Sequence, residues 1–374
     1  MRISINAVSP YEGGGFNTYN KYIIQSICKI DKKNDYFIFV DSNNFDQHKI
    51  NQPNVKIIKK NKILNNSVLR ILWMQLILPI ELIKLDIDTH LSTMNILPFL
   101  LSLTKIKSVL VQHSNLPWVY PNEFEKKPFS LNLRKYLMSI SIYLADKIIC
   151  DTDYAKLELI KFFPNQKKKF NFVYLGVDRE NFKRDSKNKN LLDSFGITKP
   201  YLLCIASSKP YHRILELIRG YQEFIKYSNE SISLIIITNI HDKEYYRKII
   251  DVSSVVNFNI KIITGIDSNY IPTILSNAEI YIFPSVCEVF GLTNIEAMSC
   301  GVPVLTSKLS AMPEVCGEAA EYFDPNDIRD IKNVISNLFY NDLKKIDLIR
   351  KGNIRANELS WDITAKKTLE VLTN

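Results

Sequence analysis

Residues 285–304 read S-V-C-E-V-F-G-L-T-N-I-E-A-M-S-C-G-V-P-V and set two carboxylates, Glu288 and Glu296, eight positions apart. The apolar run Ile280–Pro284 before them predicts a buried strand. The apolar period after them predicts a helix that stops before Pro303, because proline cannot continue it. A strand, a turn and a helix in this order are typical of a parallel α/β sheet, with Glu288 at the carboxyl end of a strand.

The turn between the two acids predicts an anion site. Gly291 opens the helix, where free backbone N–H groups and the helix dipole favour a phosphate. Glu288 is placed to accept hydrogen bonds from sugar hydroxyls, and Glu296 from a ribose diol. The three features together outline a site for a nucleotide sugar. The alternative is a solvated pair of acids on the face of a helix.

Apolar runs alternate with helical periods along the whole chain, which is typical of parallel sheets with helices on both faces. The predicted strands are 2–8, 36–40, 109–112, 147–150, 172–174, 201–206, 233–238, 260–264, 280–284 and 302–306. Residues 179–190 have no apolar period and predict a linker. We therefore expect two doubly wound domains, residues 1–178 and 179–356, with the carboxyl ends of their strands facing one cleft.

A glycine triplet, Gly13-Gly-Gly15, falls where the first strand turns into a helix. Glycines let the backbone approach a pyrophosphate closely, and the start of a helix adds positive potential. The G-x-G-x-x-G spacing is absent, which disfavours a nicotinamide or flavin cofactor. The alternative is an ordinary flexible turn.

Size and charge bound the partners. The 374 residues are 46% hydrophobic and 23% charged, which suits two globular domains. The net charge of +9 lies in the first half, since residues 1–175 hold 24 basic and 14 acidic side chains. This asymmetry indicates an anionic partner such as phospholipid or a lipid-linked pyrophosphate, or else only a lysine-rich composition. Nucleic acid is disfavoured, because no basic run alternates with stacking aromatic residues.

The longest apolar stretch, residues 71–83, is too short for a membrane span and is interrupted by polar residues and a proline. It predicts a core helix of the first domain, which we favour, or a membrane-surface helix flanked by Arg70 and Lys84. The six cysteines form no C-x-x-C pair and no secretory signal precedes the first strand, so we expect reduced thiols in the cytoplasm.

Residues 285–304 resemble the E-x7-E signature of the group-4 family of retaining glycosyltransferases, which have the GT-B fold. The segments 149–163, 173–178, 264–285, 302–325 and 359–372 resemble the same family in order. The resemblance is strong from about residue 145 onward and weaker before it. It implies two Rossmann-like domains that face a central cleft, with the C-terminal helix, residues 357–374, returning to the first domain.

The resemblance implies that a hexose-type sugar moves from a nucleotide-diphosphate sugar to an acceptor hydroxyl with retention, without a metal or cofactor. Asp151-Thr-Asp153 is spelled like a metal motif, but the resemblance places it in the interdomain segment. The acceptor would be a saccharide or lipid-linked saccharide of bacterial surface polysaccharide or lipopolysaccharide, at the inner face of the cytoplasmic membrane. The alternatives are a donor-binding but inactive subunit and a nucleotide-sugar epimerase of the same fold.

The resemblance assigns catalysis to Glu288 and His113. Glu288 would favour an oxocarbenium-like transition state, and His113, at the end of a strand, would contact the transferred sugar. The implied donor-binding residues are Gly14, Gly15, Lys209, His212, Arg213, Gly265, Ile266, Phe290, Gly291, Leu292, Thr293 and Glu296.

The chain departs from the family pattern near its expected phosphate-binding cations. Ser207 stands where the family usually has an arginine, and His212 stands where it usually has a lysine. Lys209 and Arg213 are close enough in sequence to supply the positive charge instead. A further departure is Ser114, which follows His113 where family members often place an acid.

Overall fold

The computed structural model describes residues 1–9, 14–43, 45–121, 128–184, 189–228, 230–254 and 259–374. Within these residues, one compact unit comprises 1–121, 128–176 and 361–374, and the second comprises 177–360. The boundaries expected after residue 178 and before residue 357 therefore move to 176 and 361. The reason is that the helix Asp342–Glu358 runs past residue 356, and the backbone N–H of Val177 donates to the carbonyl of Leu359.

The first unit is built on a parallel sheet of seven strands in the order β3-β2-β1-β4-β5-β6-β7. The strands are β1 (Arg2–Ala7), β2 (Asp35–Val40), β3 (Val55–Lys59), β4 (Thr89–Ser92), β5 (Lys107–Gln112), β6 (Lys147–Cys150) and β7 (Phe170–Phe172). The sequence did not predict β3 or β4. Strand β4 is polar although it is buried, and His90 on it bonds the hydroxyl of Ser4 on β1 at 2.7 Å.

The helices of the first unit cover both faces of this sheet. They are α1 (Gly15–Ile30), α2 (Ser67–Leu72), α3 (Leu78–Lys84), α4 (Leu116–Val119), α5 (Pro128–Leu144) and α6 (Asp153–Phe162), with a π-helical turn at Trp73–Ile77 and 3-10 turns at Phe45–His48, Lys62–Asn65, Phe99–Leu103 and Pro164–Lys169. The sequence period of helix α1 predicts an apolar face of Tyr19, Ile23, Ile27 and Ile30. The first three are buried, whereas Ile30, in the last turn, is 40% exposed.

The second unit is built on a parallel sheet of six strands in the order β10-β9-β8-β11-β12-β13. The strands are β8 (Tyr201–Ile205), β9 (Ser233–Ile237), β10 (Ile260–Ile263), β11 (Ile280–Phe283), β12 (Val304–Ser307) and β13 (Ala320–Phe323). The helices are α7 (Lys189–Ser194), α8 (Ile214–Ser228), α9 (Lys243–Ser253), α10 (Ile271–Ser276), α11 (Leu292–Ser299), α12 (Met312–Cys316), α13 (Ile328–Phe339) and α14 (Asp342–Glu358), with 3-10 turns at Pro210–His212, Ser268–Tyr270 and Gly317–Ala319.

The last helix, α15 (Trp361–Thr373), packs on α1 of the first unit. Its Asp362 forms an ion pair with Lys29 at 2.8 Å, and the ring of Trp361 stacks on Tyr22 with the ring centroids 5.4 Å apart. The expected return of the C-terminal helix to the first domain is confirmed. All six cysteines are buried thiols that form no disulfide within the described residues. Over the ranges that the structure describes, each helix is too short or too polar to traverse a bilayer.

Candidate active site

The strand order of the second unit places its candidate residues together. Strands β8 and β11 are neighbours although two strands separate them in sequence, so the chain leaves them in opposite directions along the sheet. In open α/β sheets ligands bind at the carboxyl edge beside such a switch point. Lys209 and His212 follow β8, and Glu288 follows β11, so the strand order brings them to the same edge of the sheet.

Glu288 lies at this switch point with its side chain only 22% exposed. The hydroxyl of Ser285 donates to Oε1 of Glu288 at 3.3 Å, and Nδ1 of His212 lies 3.5 Å from the same oxygen. The backbone N–H of Glu288 donates to the hydroxyl of Ser310 at 3.1 Å. Ser285 thus holds the carboxylate of Glu288 by one hydrogen bond, Ser310 holds its backbone, and the imidazole of His212 lies beside the carboxylate without a hydrogen bond.

Burial raises the pKa values of both acids of the signature. The pKa of Glu288 rises to about 7, although the hydroxyl of Ser285 and the charge of Lys209 lower it in part. The pKa of Glu296 rises to about 8, first through burial and then through the like charge of Asp178. Carboxylates that are kept dry with weak compensation mark a candidate ligand site, because hydroxyl donors from a ligand would stabilise their charge.

The basic side chains near Glu288 differ in their charge and in the groups that they contact. Burial, and then the charges of Lys209 and His241, lower the pKa of His212 to about 3, so its contact with Glu288 involves a neutral imidazole rather than an ion pair. The guanidinium of Arg213 donates to the side chain of Asn326 and to the carbonyl of Pro210, both at 3.0 Å. Lys209 is the cation whose charge acts on Glu288 and His212.

The start of α11 carries the predicted amides. Gly291 precedes the helix at φ +74°, a conformation that favours glycine, and a Cβ there would lie 2.6 Å from Cε of Met312, so any other residue would displace that side chain. Phe290 is buried before it, and Leu292 and Thr293 form the first turn. The first N–H groups of a helix have no partner within the helix, so this end is suited to an anion.

Gly265 and Ile266 also lie at the carboxyl edge of the second sheet, but they follow β10, which is the outer strand on the side of β9 and β8. Strands β9 and β8 separate them from β11, and Gly265 has open space where a Cβ would stand. A ligand bound at Glu288 would therefore have to extend from β11 past β8 and β9 to bring its nucleotide base to Gly265 and Ile266. The contact of these two residues with the base stays a prediction.

In the first unit, His113 follows β5 and is bound by Asp151, which follows the neighbouring strand β6. Nδ1 of His113 lies 2.9 Å from both carboxylate oxygens of Asp151, and its backbone N–H donates to the side chain of Asn95 at 2.6 Å. The ring packs edge-on against Tyr19, with centroids 4.4 Å apart. Its Nε2 is buried without a hydrogen-bond partner among the residues that the structure describes. The Nδ1–H tautomer therefore leaves Nε2 as a free acceptor.

The other predicted elements of the first unit fall near the same edge. Gly14 precedes α1 at φ +88°, and Gly15 begins the helix, with open space where a Cβ would stand at either residue. A ligand could approach this backbone closely. Gly13 lies outside the described residues. Asp151 and Asp153 have the D-x-D spacing of a metal motif, but they bind different partners: Asp151 binds His113, and Asp153 pairs with Lys156.

Sequence reasoning missed several residues that shape the two clusters: Asp151 as a partner of His113, Ser285 and Ser310 beside Glu288, Asn95, and His241. Backbone strain is one structural feature that marks the loops carrying these residues. Three of the four non-glycine residues with positive φ in the described ranges, Asn95, Arg213 and Ser310, lie in loops of these two clusters. Such strain concentrates at functional sites, but it is visible only in coordinates.

The architecture is that of the GT-B glycosyltransferases, which confirms the fold expected from the sequence. The structure of HepE from Anabaena, in complex with UDP and glucose, matches with a TM-score of 0.75 at 15% identity, covering 100% of this chain and 99% of that chain. A likeness at this level of identity shows the fold.

Residues 187–354 match the model of the family described as "Glycosyl transferases group 1". O-antigen chain mannosyltransferase B of Escherichia coli is 35% identical over 99 residues, which are 26% of this chain and 26% of the relative. Serotype-specific mannosyltransferase WbdA of Escherichia coli is 24% identical over 279 residues, which are 71% of this chain and 33% of the relative. The chain thus spans about a third or less of the length of these curated relatives.

Proposed function

We propose that this protein transfers a hexose-type sugar from a nucleotide-diphosphate donor to an acceptor hydroxyl, with retention of configuration and without a metal ion. The observation that carries the proposal is the environment of Glu288. A carboxylate with a pKa near 7 lies beside a neutral imidazole and the hydroxyl of Ser285, at the switch point of a family-matched domain, and the hydroxyl of Ser310 accepts from the backbone N–H of the same residue. Its negative charge would stabilise an oxocarbenium-like transition state.

The other residues take their proposed roles from their positions. The amides at the start of α11, from Gly291 onward, would hold the diphosphate, with Lys209 as the nearest cation. Glu296 would accept the ribose hydroxyls. In the first unit, Nε2 of His113 would accept a hydrogen bond from a hydroxyl of the transferred sugar, with Asp151 fixing the tautomer.

One relative is named an O-antigen chain mannosyltransferase and another a serotype-specific mannosyltransferase, which favours a mannosyl donor and a saccharide or lipid-linked saccharide acceptor. The excess of basic residues in the first half of the chain favours an acceptor with a lipid pyrophosphate. We therefore propose a role in bacterial surface-polysaccharide or lipopolysaccharide synthesis, at the inner face of the cytoplasmic membrane and in contact with it.

The test is a screen of purified protein against a panel of nucleotide-diphosphate sugars, with release of nucleoside diphosphate as the readout. We expect release with one donor, stimulated by an acceptor saccharide and lost in Glu288→Gln. The matched control is Glu318→Gln, because that side chain is 89% exposed on the same unit. Isomerised donor without transfer would point to an epimerase instead.

A donor-binding but inactive subunit is the second candidate, and one observation favours it. His212 stands where the resemblance expects a lysine, and its pKa of about 3 leaves it neutral. If calorimetry shows a nucleoside diphosphate bound while no donor is turned over with any acceptor, the inactive subunit is the better assignment.

A further inference from the structure

The helical segment 67–84 of the first unit is apolar on both of its faces. Its inner face buries Trp73, Met74, Leu78 and Leu82 in the core of the unit. Its outer face carries seven aliphatic side chains, each between 38% and 62% exposed: Val68, Leu69, Leu72, Leu76, Ile77, Ile80 and Ile83. A helix on the surface of a globular protein normally turns polar residues to water. We call these seven side chains the outer apolar face.

Two polar side chains in the middle of the same segment, Gln75 and Glu81, are bonded within the unit. Gln75 donates to the carbonyl of Leu97 at 2.9 Å and accepts from the backbone N–H of Phe99 at 2.8 Å. Glu81 pairs with Lys60 at 2.6 Å. Because these groups are satisfied within the unit, they do not interrupt the outer apolar face. Contiguous exposed apolar surface of this kind marks a contact site.

A shallow apolar groove continues the outer apolar face toward the 3-10 turn at 62–65. It is lined by Ile63, Leu69, Leu72 and Leu76, together with Lys60 and other residues. Ile63 is itself 59% exposed. The exposed aliphatic surface therefore extends beyond one helix and includes the loop that leads into it.

The charge around this surface identifies its partner. Residues 55–84 contain six basic side chains and a single acidic one, Glu81, which Lys60 neutralises. Lys56, Lys62 and Lys84 are exposed. Aliphatic side chains combined with lysines are typical of surfaces that lie in the interface of an anionic bilayer. A second copy of the chain would set like charges against each other across a symmetric contact.

We propose that the outer apolar face docks the first unit onto a bilayer surface that contains anionic phospholipid. The aliphatic side chains enter the boundary between headgroups and acyl chains, and the lysines contact lipid phosphates. Strand β3 ends at Lys59 and the segment runs back toward the start of β4, so the first turn of α2 lies at the sheet edge that also carries His113. Docking therefore brings that edge near the lipid. The proposal names the surface for the membrane contact proposed above and does not depend on sugar transfer.

The test is flotation of the full chain with vesicles of phosphatidylcholine alone and with vesicles of equal parts phosphatidylcholine and phosphatidylglycerol. The variant Leu72→Gln/Leu76→Gln/Ile80→Gln removes the centre of the outer apolar face. The matched control is Leu343→Gln/Ile346→Gln/Ile354→Gln on α14 of the second unit, at positions 81%, 63% and 49% exposed. We expect the first variant to weaken binding to the anionic vesicles by about tenfold or more, and the control to leave it unchanged.

A second variant, Lys56→Gln/Lys62→Gln/Lys84→Gln, tests the charge without altering the outer apolar face. We expect it to weaken binding to the anionic vesicles and to remove most of the salt dependence of that binding. Nucleoside diphosphate release in solution should be the same in all variants, so a failure to dock is distinguishable from a failure of the transfer reaction. Three results would overturn the proposal: no binding of the wild type to either vesicle, equal binding by the outer-face variant, or a wild-type dimer in solution that this variant abolishes.

Discussion

The two sheets use acidic side chains in opposite ways at their carboxyl edges. In the second unit, Glu288 lies beside Ser285 and a neutral His212, and its pKa rises to about 7. In the first unit, Asp151 binds His113 with both of its oxygens at 2.9 Å. One acid is kept without a strong partner and the other is fully engaged. This contrast is the basis of our proposal that Glu288 acts on a ligand directly, whereas Asp151 acts through a histidine.

Of the substitutions that test this contrast, Glu288→Gln is expected to have the largest effect on activity. The amide keeps the size and hydrogen-bonding capacity of the side chain but removes the negative charge that opposes the developing positive charge of the sugar. We expect kcat to fall by about 10²–10³-fold, measured as initial rates of sugar transfer with the donor found in the screen. Glu318→Gln should retain wild-type rates, and a Glu288→Gln rate within about threefold of wild type would remove Glu288 from its role.

A smaller effect is expected for Asp151→Asn, which tests the role of a residue that acts through His113. An amide donates to Nδ1 as readily as it accepts, so the tautomer with a free Nε2 is no longer fixed. We expect kcat to fall by about 10–100-fold, the range for partners that orient another group, and its pH profile to shift.

Asp153→Asn is the control, since Asp153 belongs to the same D-x-D spelling but pairs with Lys156. A double variant that also changes His113 should lose little more activity than His113→Gln alone. Additive losses, or a pH profile that does not move, would show that Asp151 is only structural.

Within the second unit, Lys209 and Arg213 are expected to differ in how much each contributes to donor binding. The charge of Lys209 acts on Glu288, whereas the guanidinium of Arg213 is held by Asn326 and Pro210. We expect Lys209→Met to raise the KM for the donor by about tenfold, the cost of one charge-assisted contact, and Arg213→Met to raise it less. Steady-state kinetics with varied donor gives both values, and the reverse order would place the diphosphate beside Arg213.

The sequence predicted the second unit better than the first, for a physical reason. Strands such as β8 and β9 are buried on both faces and are continuous apolar runs, so composition reveals them. Strand β4 is buried but polar, because its His90 bonds Ser4 across the sheet, and strand β3 is half-exposed with lysines. No local pattern distinguishes such strands from loops.

The candidate site residues were likewise predicted in the second unit better than in the first. Glu288 and Glu296 are close in sequence and were predicted from their spacing, whereas His113 and Asp151 are separated by 38 residues and meet only because β5 and β6 are neighbours. Sequence period also cannot tell which face of an apolar helix is covered. The stretch 71–83 was expected to be a core helix, and that expectation holds for its inner face and fails for its outer apolar face.

The smallest effect concerns stability, and it follows from the cost of keeping Glu288 dry. In an unfolded chain a glutamate ionises near pH 4.5, whereas the folded chain holds the pKa of Glu288 near 7. Between these values the unfolded state releases a proton that the folded state keeps, so the stability that Glu288 contributes below pH 4.5 is lost as the pH rises through 7. Glu288→Gln has no such loss. We therefore expect it to be as stable as wild type at pH 4.5 and more stable at pH 8, by about 1–3 kcal/mol.

Thermal unfolding of both proteins across this pH range measures the difference, with Glu318→Gln as a control that should follow wild type at every pH. The same substitution is thus expected to lower activity and to raise stability above neutral pH, which is the behaviour of a residue held in place for function rather than for the fold. A variant that is destabilised at pH 8 and less so at pH 4.5 would show instead that the Glu288 carboxylate is bound favourably by its neighbours. In that case the contrast with Asp151 would disappear, because both acids would be satisfied by their own chain.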